Sequence, residues 1–305
     1  MTKRKDKILE LVTDGVTREE VIRKLKISDQ IFRKQIVDLQ REGHNIIRQI
    51  YYNGIQKYVL QKSIPDNISH IIGVPKNGLF RVIAASDYHI GSKRQNIQFL
   101  NRIYEFANNN DIHIILNCGD LIEGLLNTPF HTSYYDQIEY LLENHPHDEN
   151  ITNLIVLGNH DADLLKNTGL DLHKILNENR NDLISLGYGP QKIGILNNEI
   201  IMCHSAKDIR NDHAKLKLTG HGHRYHFNVD NGEPTIFLPT ASNNIYDDFP
   251  PGFIDIQIEI KDGLFYKGTF YFYTLKRNQV IKICYTKFHY ENSYPTQEKI
   301  LSKFQ

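Results

Sequence analysis

Five short apolar runs in this chain close on residues able to hold a metal ion, and that pattern restricts the fold more than any other feature. FRVIAAS runs into Asp87-Tyr88-His89, IHIILNC into Gly119-Asp120, and LIVLG into Asn159-His160-Asp161. Later EIIMC leads into His204, and KLKLTG into His221-Gly222-His223. One polar run-end carries no information. Five ends of the same chemistry require side chains that converge on one edge of a sheet, where layered α/β domains place their sites. Between the runs lie helical patterns, NIQFLNRIYEFANN and YYDQIEYLLENH, so strand and helix alternate as in an α/β layered domain. Within Asp87 and His89, and within His221 and His223, the i, i+2 spacing puts both side chains on one side of an extended chain.

Beyond residue 190 the character changes to short strands with Gly and Asn turns, including IGILN, TIFLPTAS, FIDIQIEI and LFYKGTFYFYTL. No run reaches the roughly 18 apolar residues of a membrane span. The three cysteines, Cys118, Cys203 and Cys284, are too few and scattered for a disulfide framework, and a reducing cytoplasm is expected. Formal net charge is zero over 305 residues, yet residues 1–62 hold 14 Lys and Arg against 8 Asp and Glu. A basic head precedes an acidic body.

The head has its own pattern. KDKILELVTDG predicts a short helix with Ile8, Leu9, Leu11 and Val12 inward. Thr17 and Glu20 form a capping box for the next, and Ser28 caps a third with Ile31, Phe32, Ile36 and Leu39 at helical spacing. Two β-rich runs around Asn53-Gly54 then predict a hairpin. Three helices and a hairpin resemble the winged helix-turn-helix family over residues 1–62. That resemblance implies DNA near Arg33, Lys34, Gln35 and Arg41, with Arg48 and Lys57 on the wing. Many winged helices dock proteins instead, and exposed Lys and Arg are also ordinary surface. Residues 63–78 predict a linker with a strand inside it, and residues 79–305 the second domain.

In the second domain, D-x-H, GD, GNHD, a lone His and GHxH occur in an order that resembles the calcineurin-like metallophosphoesterase superfamily. The resemblance implies a four-layer sandwich of two mixed sheets flanked by helices. It implies one metal held by Asp87, His89, Asp120 and His223, and another by Asp120, Asn159, His204 and His221, with Asp120 as the bridge. Mixed oxygen and imidazole ligands suit Mn, Fe, Zn or Ni over an all-oxygen Mg site, and two divalent ions, with Mn²⁺ preferred, are expected. His160 matches the family's catalytic histidine at the departing oxygen.

The substrate is narrowed by departures from that family's phosphoprotein phosphatases, which read GDxxDRG. This chain has GDLIEG: Gly124 replaces the Arg that grips a monoester, and Glu123, in place of the preceding Asp, is expected to orient His160. A diester substrate follows. GNHD is shared by cyclic-nucleotide phosphodiesterases and DNA-repair exonucleases; the latter add a cap domain after GHxH, and 82 residues follow His223 here. The expected activity is a phosphodiesterase or nuclease acting on DNA, with the head holding nucleic acid. The alternative is a small-molecule, cyclic-nucleotide-like phosphodiesterase whose head serves regulation or assembly. LPTASNN is expected at the rim of the site. His145 and His173 are set aside as surface or satisfied core residues; His131 and His226 stay undecided, as does the oligomeric state.

Overall fold

The computed structural model describes residues 2–61, 68–125, 130, 133–243, 249–276, 279–291 and 294–299. At the N-terminus, α1 (Thr2–Thr13) buries Ile8 and Val12. α2 (Arg18–Leu25) starts on a reciprocal cap: Glu20 N donates to Thr17 Oγ1 at 3.2 Å and Thr17 N to the Glu20 carboxylate at 3.0 Å. α3 (Asp29–Arg41), capped by Ser28, buries Phe32, Gln35, Ile36 and Leu39. Those four fill the i, i+3, i+4, i+7 stripe, which leaves Ile31, expected inward, 38% exposed beside it. The antiparallel hairpin of β1 (Ile46–Ile50) and β2 (Gln56–Leu60) turns through Asn53-Gly54.

Within the expected linker lies β3 (Ile68–Ile72), which pairs in parallel with β1 on one side and with β8 (Gln191–Ile195) on the other. The hairpin therefore extends a sheet of the larger body. That eight-stranded sheet continues through β9 (Asn198–Cys203), β10 (Leu216–Thr219), β12 (Glu233–Phe237) and β11 (His226–Asp230). The second eight-stranded sheet has parallel β4 (Leu79–Ala85), β5 (Ile114–Asn117), β6 (Thr152–Leu157) and β7 (Leu183–Tyr188). Its other half is an antiparallel meander, β13 (Gly252–Lys261), β14 (Leu264–Lys276), β15 (Gln279–His289) and β16 (Tyr294–Lys299), attached to β4 through β13. The runs FIDIQIEI and LFYKGTFYFYTL match β13 and β14 to within a residue at each end, and along the 13 residues of β14 Phe and Tyr alternate between a buried and a half-buried face.

The sheets face each other across one core, with Phe80, Leu116 and Val156 from one and Ile193, Met202 and Leu218 from the other. Four helices, α4 (Ile97–Asn109), α5 (Tyr134–Asn144), α6 (Asn159–Thr168) and α7 (Leu172–Asn179), supply Phe99, Leu141, Leu164 and Leu176 to a second core against Ile83, Ile115 and Ile155. The expected α/β architecture of two mixed sheets is present. All three cysteines are buried. No helix among the described residues is long and apolar enough to cross a membrane.

Head and body touch directly. The Arg33 guanidinium pairs with Asp29 at 2.8 Å and donates to Asn177 O and Asn181 Oδ1, while Gln56 Nε2 donates to Thr152 Oγ1 at 3.1 Å. Of the six residues expected near DNA, Arg33 is thus turned to the body and Gln35 is buried, whereas Lys34 and Arg41 are exposed. Arg48 lies over the Tyr58 ring and Lys57 over Tyr51.

Candidate metal centre

The C-terminal ends of β4, β5 and β6 in one sheet and of β9 and β10 in the other meet at one edge of the sandwich. The loops leaving β4 and β5 run side by side, with Asp87 N donating to Gly119 O at 2.9 Å, His89 N to Asp120 O at 3.0 Å and Ile90 N to Leu121 O at 2.7 Å. Asp87, His89, Asp120, His221 and His223 all have left-handed backbones, φ 46 to 67°. Each such position costs roughly 1–3 kcal/mol in a non-glycine residue, and five in one small region mark where the fold spends stability on geometry. Side-chain convergence therefore comes from these loop conformations and not from the i, i+2 alternation of an extended chain.

Two glycines make the crowding possible. A Cβ on Gly220 would lie 2.0 Å from Ser86 Oγ and 2.8 Å from Asp87 Oδ2, and one on Gly158 would lie 2.2 Å from Asp120 Oδ1. No larger residue fits at either place.

Two groups of donors are Asp87 with His89 and His223, and Asp120 with His204 and His221, each with ligating atoms within 4.8 Å of one another; a third, His89 with Glu123 and His160, overlaps the first at His89. In the first, His223 Nε2 is 3.2 Å from both Asp87 Oδ1 and His89 Nε2. In the second, His204 Nε2 is 3.0 Å from Asp120 Oδ2, 3.0 Å from Asn159 Oδ1 and 3.2 Å from His221 Nδ1. Cys118 O, which can only accept, receives His204 Nδ1–H at 2.7 Å, so neutral His204 turns its Nε2 lone pair to the other three atoms. A ring of acceptors facing one another at this spacing is the donor set of a cation, and the residues present fit a divalent metal in each group.

Asp120 belongs to the second group. Its Oδ1 accepts His160 N at 2.9 Å, at the N-terminus of α6, and its Oδ2 faces His204. Asn159 and His160 are the first two residues of that helix, so the turn that follows β6 delivers both. His160, 7% exposed, is fixed by its Nδ1–H to Glu123 O and keeps Nε2 3.9 Å from Asp120 Oδ2. The contact expected between Glu123 and His160 is thus made by the main chain. The Glu123 carboxylate turns elsewhere, with Oε2 3.0 Å from His89 Nδ1, which leaves His89 Nε2 free toward Asp87 and His223.

Electrostatics follow from this packing. Burial pushes the Asp87 carboxyl up, but the His223 hydrogen bond and the charges of His204, His223 and His89 together hold it well below the ordinary range. Asp120 is likewise lowered: burial opposes, and His204 outweighs it. Burial lowers His204, while the hydrogen bond and charge of Asp120, with Asp87, raise it to about 9. Proton and metal compete for that nitrogen.

The sequence placed Asp161 at a polar run-end but did not show its role. Fully buried, its carboxylate accepts from Leu121 N, Ile122 N and Gly158 N at 2.9–3.1 Å by its nearer oxygens, and so ties the Asp120 loop to the start of α6. Burial first, and the Asp120 charge second, raise its pKa to about 6. The signal was in the chain: Asp161 stands three positions after Gly158, at the capping position of the helix. The LPTASNN segment does reach the site's edge, where Thr240 Oγ1 donates to Asp87 O at 2.8 Å and Asn243 N to Arg94 O at 2.8 Å. His226 is exposed on β11 against Phe237, in neither donor group, and His131 lies outside the described residues. His145 is buried with Nδ1 on Pro146 O, and His173 bonds Ser185 Oγ.

The sequence profile of the calcineurin-like phosphoesterases matches residues 80–251, more than half of the chain. The chain belongs to this family. It is accordingly a phosphoesterase-type hydrolase, of a family that depends on two metal ions, and its two donor groups provide for them. Among solved structures it is similar to a single-site variant of Vps29 from Entamoeba histolytica, at 19% identity, 69% of this chain, 100% of that one and TM-score 0.43. It is also similar to a novel archaeal phosphodiesterase (13%, 67% and 100%, TM-score 0.41) and to Yfce, a phosphoesterase from E. coli (16%, 61% and 96%, TM-score 0.41). No curated protein matches the chain. Family membership rests on residues 80–251 and the donor geometry, not on these likenesses.

Proposed function

We propose that the protein is a binuclear metal-dependent phosphodiesterase acting on DNA, with its N-terminal head, read as a winged helix, contributing to nucleic-acid binding. Asp87, His89, Asp120 and His223 would hold one divalent ion and Asp120, Asn159, His204 and His221 the other, with Mn²⁺ the expected metal. Bound there, two divalent ions supply charge neutralisation at a phosphoryl group and a water nucleophile at neutral pH. The chain's own groups do the rest. Cys118 O sets the tautomer of His204, the Glu123 carboxylate lies 3.0 Å from His89 Nδ1, and Glu123 O fixes His160 so that Nε2 is the atom that hands a proton to the departing oxygen.

The observation that carries the diester reading is the Gly124 loop. Gly124, at φ 66°, has both main-chain groups tied to Gln137 of α5, N to Oε1 at 2.9 Å and O to Nε2 at 2.8 Å. Where a monoester phosphatase of this family presents an Arg, the loop folds inward around an amide and offers no cation. A phosphate with one charge and two ester arms suits such a site.

A second reading is favoured by the head's contacts: with Arg33 turned to the body and Gln35 buried, the head also suits a regulatory module on an enzyme for small cyclic-nucleotide-like diesters. The deciding experiment is hydrolysis after chelation and Mn²⁺ add-back. Bis-p-nitrophenyl phosphate should turn over faster than p-nitrophenyl phosphate, and labelled DNA should be cut by the native protein but not by Asp120→Asn. Diester turnover with intact DNA would transfer the proposal to the small-molecule reading; faster monoester turnover would overturn the diester assignment itself.

A further inference from the structure

A polar side chain lies inside the apolar stripe of α5. The residues that this helix buries are Tyr134, Gln137, Ile138 and Leu141, and Gln137 is fully enclosed. A buried amide is destabilising unless its polar atoms are met, so its partners show what holds it there. Gln137 Oε1 accepts Gly124 N at 2.9 Å, and Nε2 donates to Gly124 O at 2.8 Å. The two opposite bonds assign the oxygen and nitrogen ends of the amide. Gly91, in the loop after His89, walls in the stem: a Cβ there would lie 2.5 Å from Gln137 Cγ.

The consequence passes through a peptide plane. Gly124 N and Glu123 O belong to one trans peptide group, in which N–H and C=O point in opposite directions. Holding Gly124 N–H toward α5 therefore aims Glu123 O the other way, where it accepts His160 Nδ1–H. The peptide before Glu123 is fixed separately, since Glu123 N donates to Ile90 O at 2.9 Å. The peptide after it ends on a glycine at φ 66°, where rotation meets no side chain, and the Gln137 amide is what holds that glycine at both its N–H and its C=O. Glu123 O can only accept, so Nδ1 of His160 carries the hydrogen and Nε2 is turned to the Asp120 carboxylate, 3.9 Å from Oδ2.

We propose that Gln137 is a positioning residue for the proton donor: by fixing the Glu123–Gly124 peptide it sets the tautomer and ring orientation of His160. This rests on His160 as the donor to the departing oxygen, and it holds for DNA and small diesters alike. Gln137 is in none of the donor groups, so its loss should act on proton transfer while metal and substrate stay bound.

The test compares two diesters on the full chain with Mn²⁺, bis-p-nitrophenyl phosphate and diphenyl phosphate. Phenoxide is the stronger base and needs the proton more. Q137M keeps the length of the side chain and removes both bonds. It should lower kcat about 10–100-fold on diphenyl phosphate and at least about threefold less on bis-p-nitrophenyl phosphate, with KM and bound Mn²⁺ within about twofold of the parent. Q137N, whose amide falls a methylene short, should shift the same ratio by less. In H160Q the ratio should shift in the same direction, and Q137M added to H160Q should change it by less than about twofold, because both act through one ring. A second readout needs no metal: in ¹⁵N imidazole spectra of the chelated protein, the signal that H160Q removes should report Nδ1–H in the parent and a mixture of tautomers in Q137M. A ratio and a His160 signal both unchanged in Q137M would overturn the assignment. Equal loss on both diesters together with loss of Mn²⁺ would overturn it too, and would make Gln137 a support of the metal loops. If H160Q itself slows both diesters equally, His160 is not the proton donor, and the assignment falls with that reading whatever Q137M does.

Discussion

Glu123 holds two imidazoles at once, His89 through its carboxylate, with Oε2 3.0 Å from Nδ1, and His160 through its main-chain oxygen. The two roles are separable by mutation. Glu123→Ala should leave His160 in place and lower metal affinity at the His89 site by about 10–100-fold, the usual effect of removing a partner behind a ligating histidine. Glu123→Gln, which still accepts at one oxygen, should fall between. Titration of the apo protein with Mn²⁺ checks this: two unequal steps are expected in the variant, and unchanged affinity at both would mean that the contact positions nothing.

Asp120 and His160 should fail differently. Asp120→Asn removes charge from the residue proposed above to hold both ions, so metal binding and turnover should be lost together. His160→Gln leaves both groups whole and should retain metal while turnover falls by about 10²–10⁴-fold. Metal content by mass spectrometry of the native proteins, set beside diester hydrolysis, separates the two; equal metal loss in both variants would place His160 among the ligands.

The site's glycines give a steric prediction. Gly158→Ala would put Cβ 2.2 Å from Asp120 Oδ1, against the carboxylate of the second donor group. Loss of metal and a destabilisation of about 1–3 kcal/mol or more are expected. Gly222→Ala is the control, because its Cβ would meet only Gly220 O at 4.0 Å. Thermal melts with and without Mn²⁺ read both effects, and the control should match the parent in each.

Much of this was legible in the chain because the information is local. The caps at Thr17 and Ser28, the Asn53-Gly54 turn and the ordered set of polar run-ends each need only a few adjacent residues. What was missed depends on pairing across distance. That β3 would join the hairpin to the body's sheet is a matter of two parallel registers, and neither leaves a mark in SHII. Arg33 looks like any exposed cation until Asn177 and Asn181, far along the sequence, accept its hydrogen bonds. Asp87 and His89 looked like neighbours on a strand, but both lie in left-handed turns that sequence spacing cannot distinguish from extended chain.

Two histidines away from the donor groups give the acid response. Burial first, with the charge of Arg48 and then His173, lowers His70 to about 3; burial first, with Arg180, lowers His145 to about 4 against the opposing Pro146 hydrogen bond and Asp182 charge. A histidine whose folded pKa lies below its unfolded value near 6.5 stays neutral in the fold and takes up a proton on unfolding. Their contribution is therefore intact above pH 6.5 and is lost as the pH falls toward 4 and 3, with up to two protons bound on unfolding. In chelated protein, where metal release cannot contribute, urea midpoints should fall steadily from pH 7 to 4, and His145→Gln should flatten that slope by about one proton. A slope unaltered by His145→Gln would show that His145 is already charged in the fold, with its ring no longer sealed between Tyr88 and Tyr104.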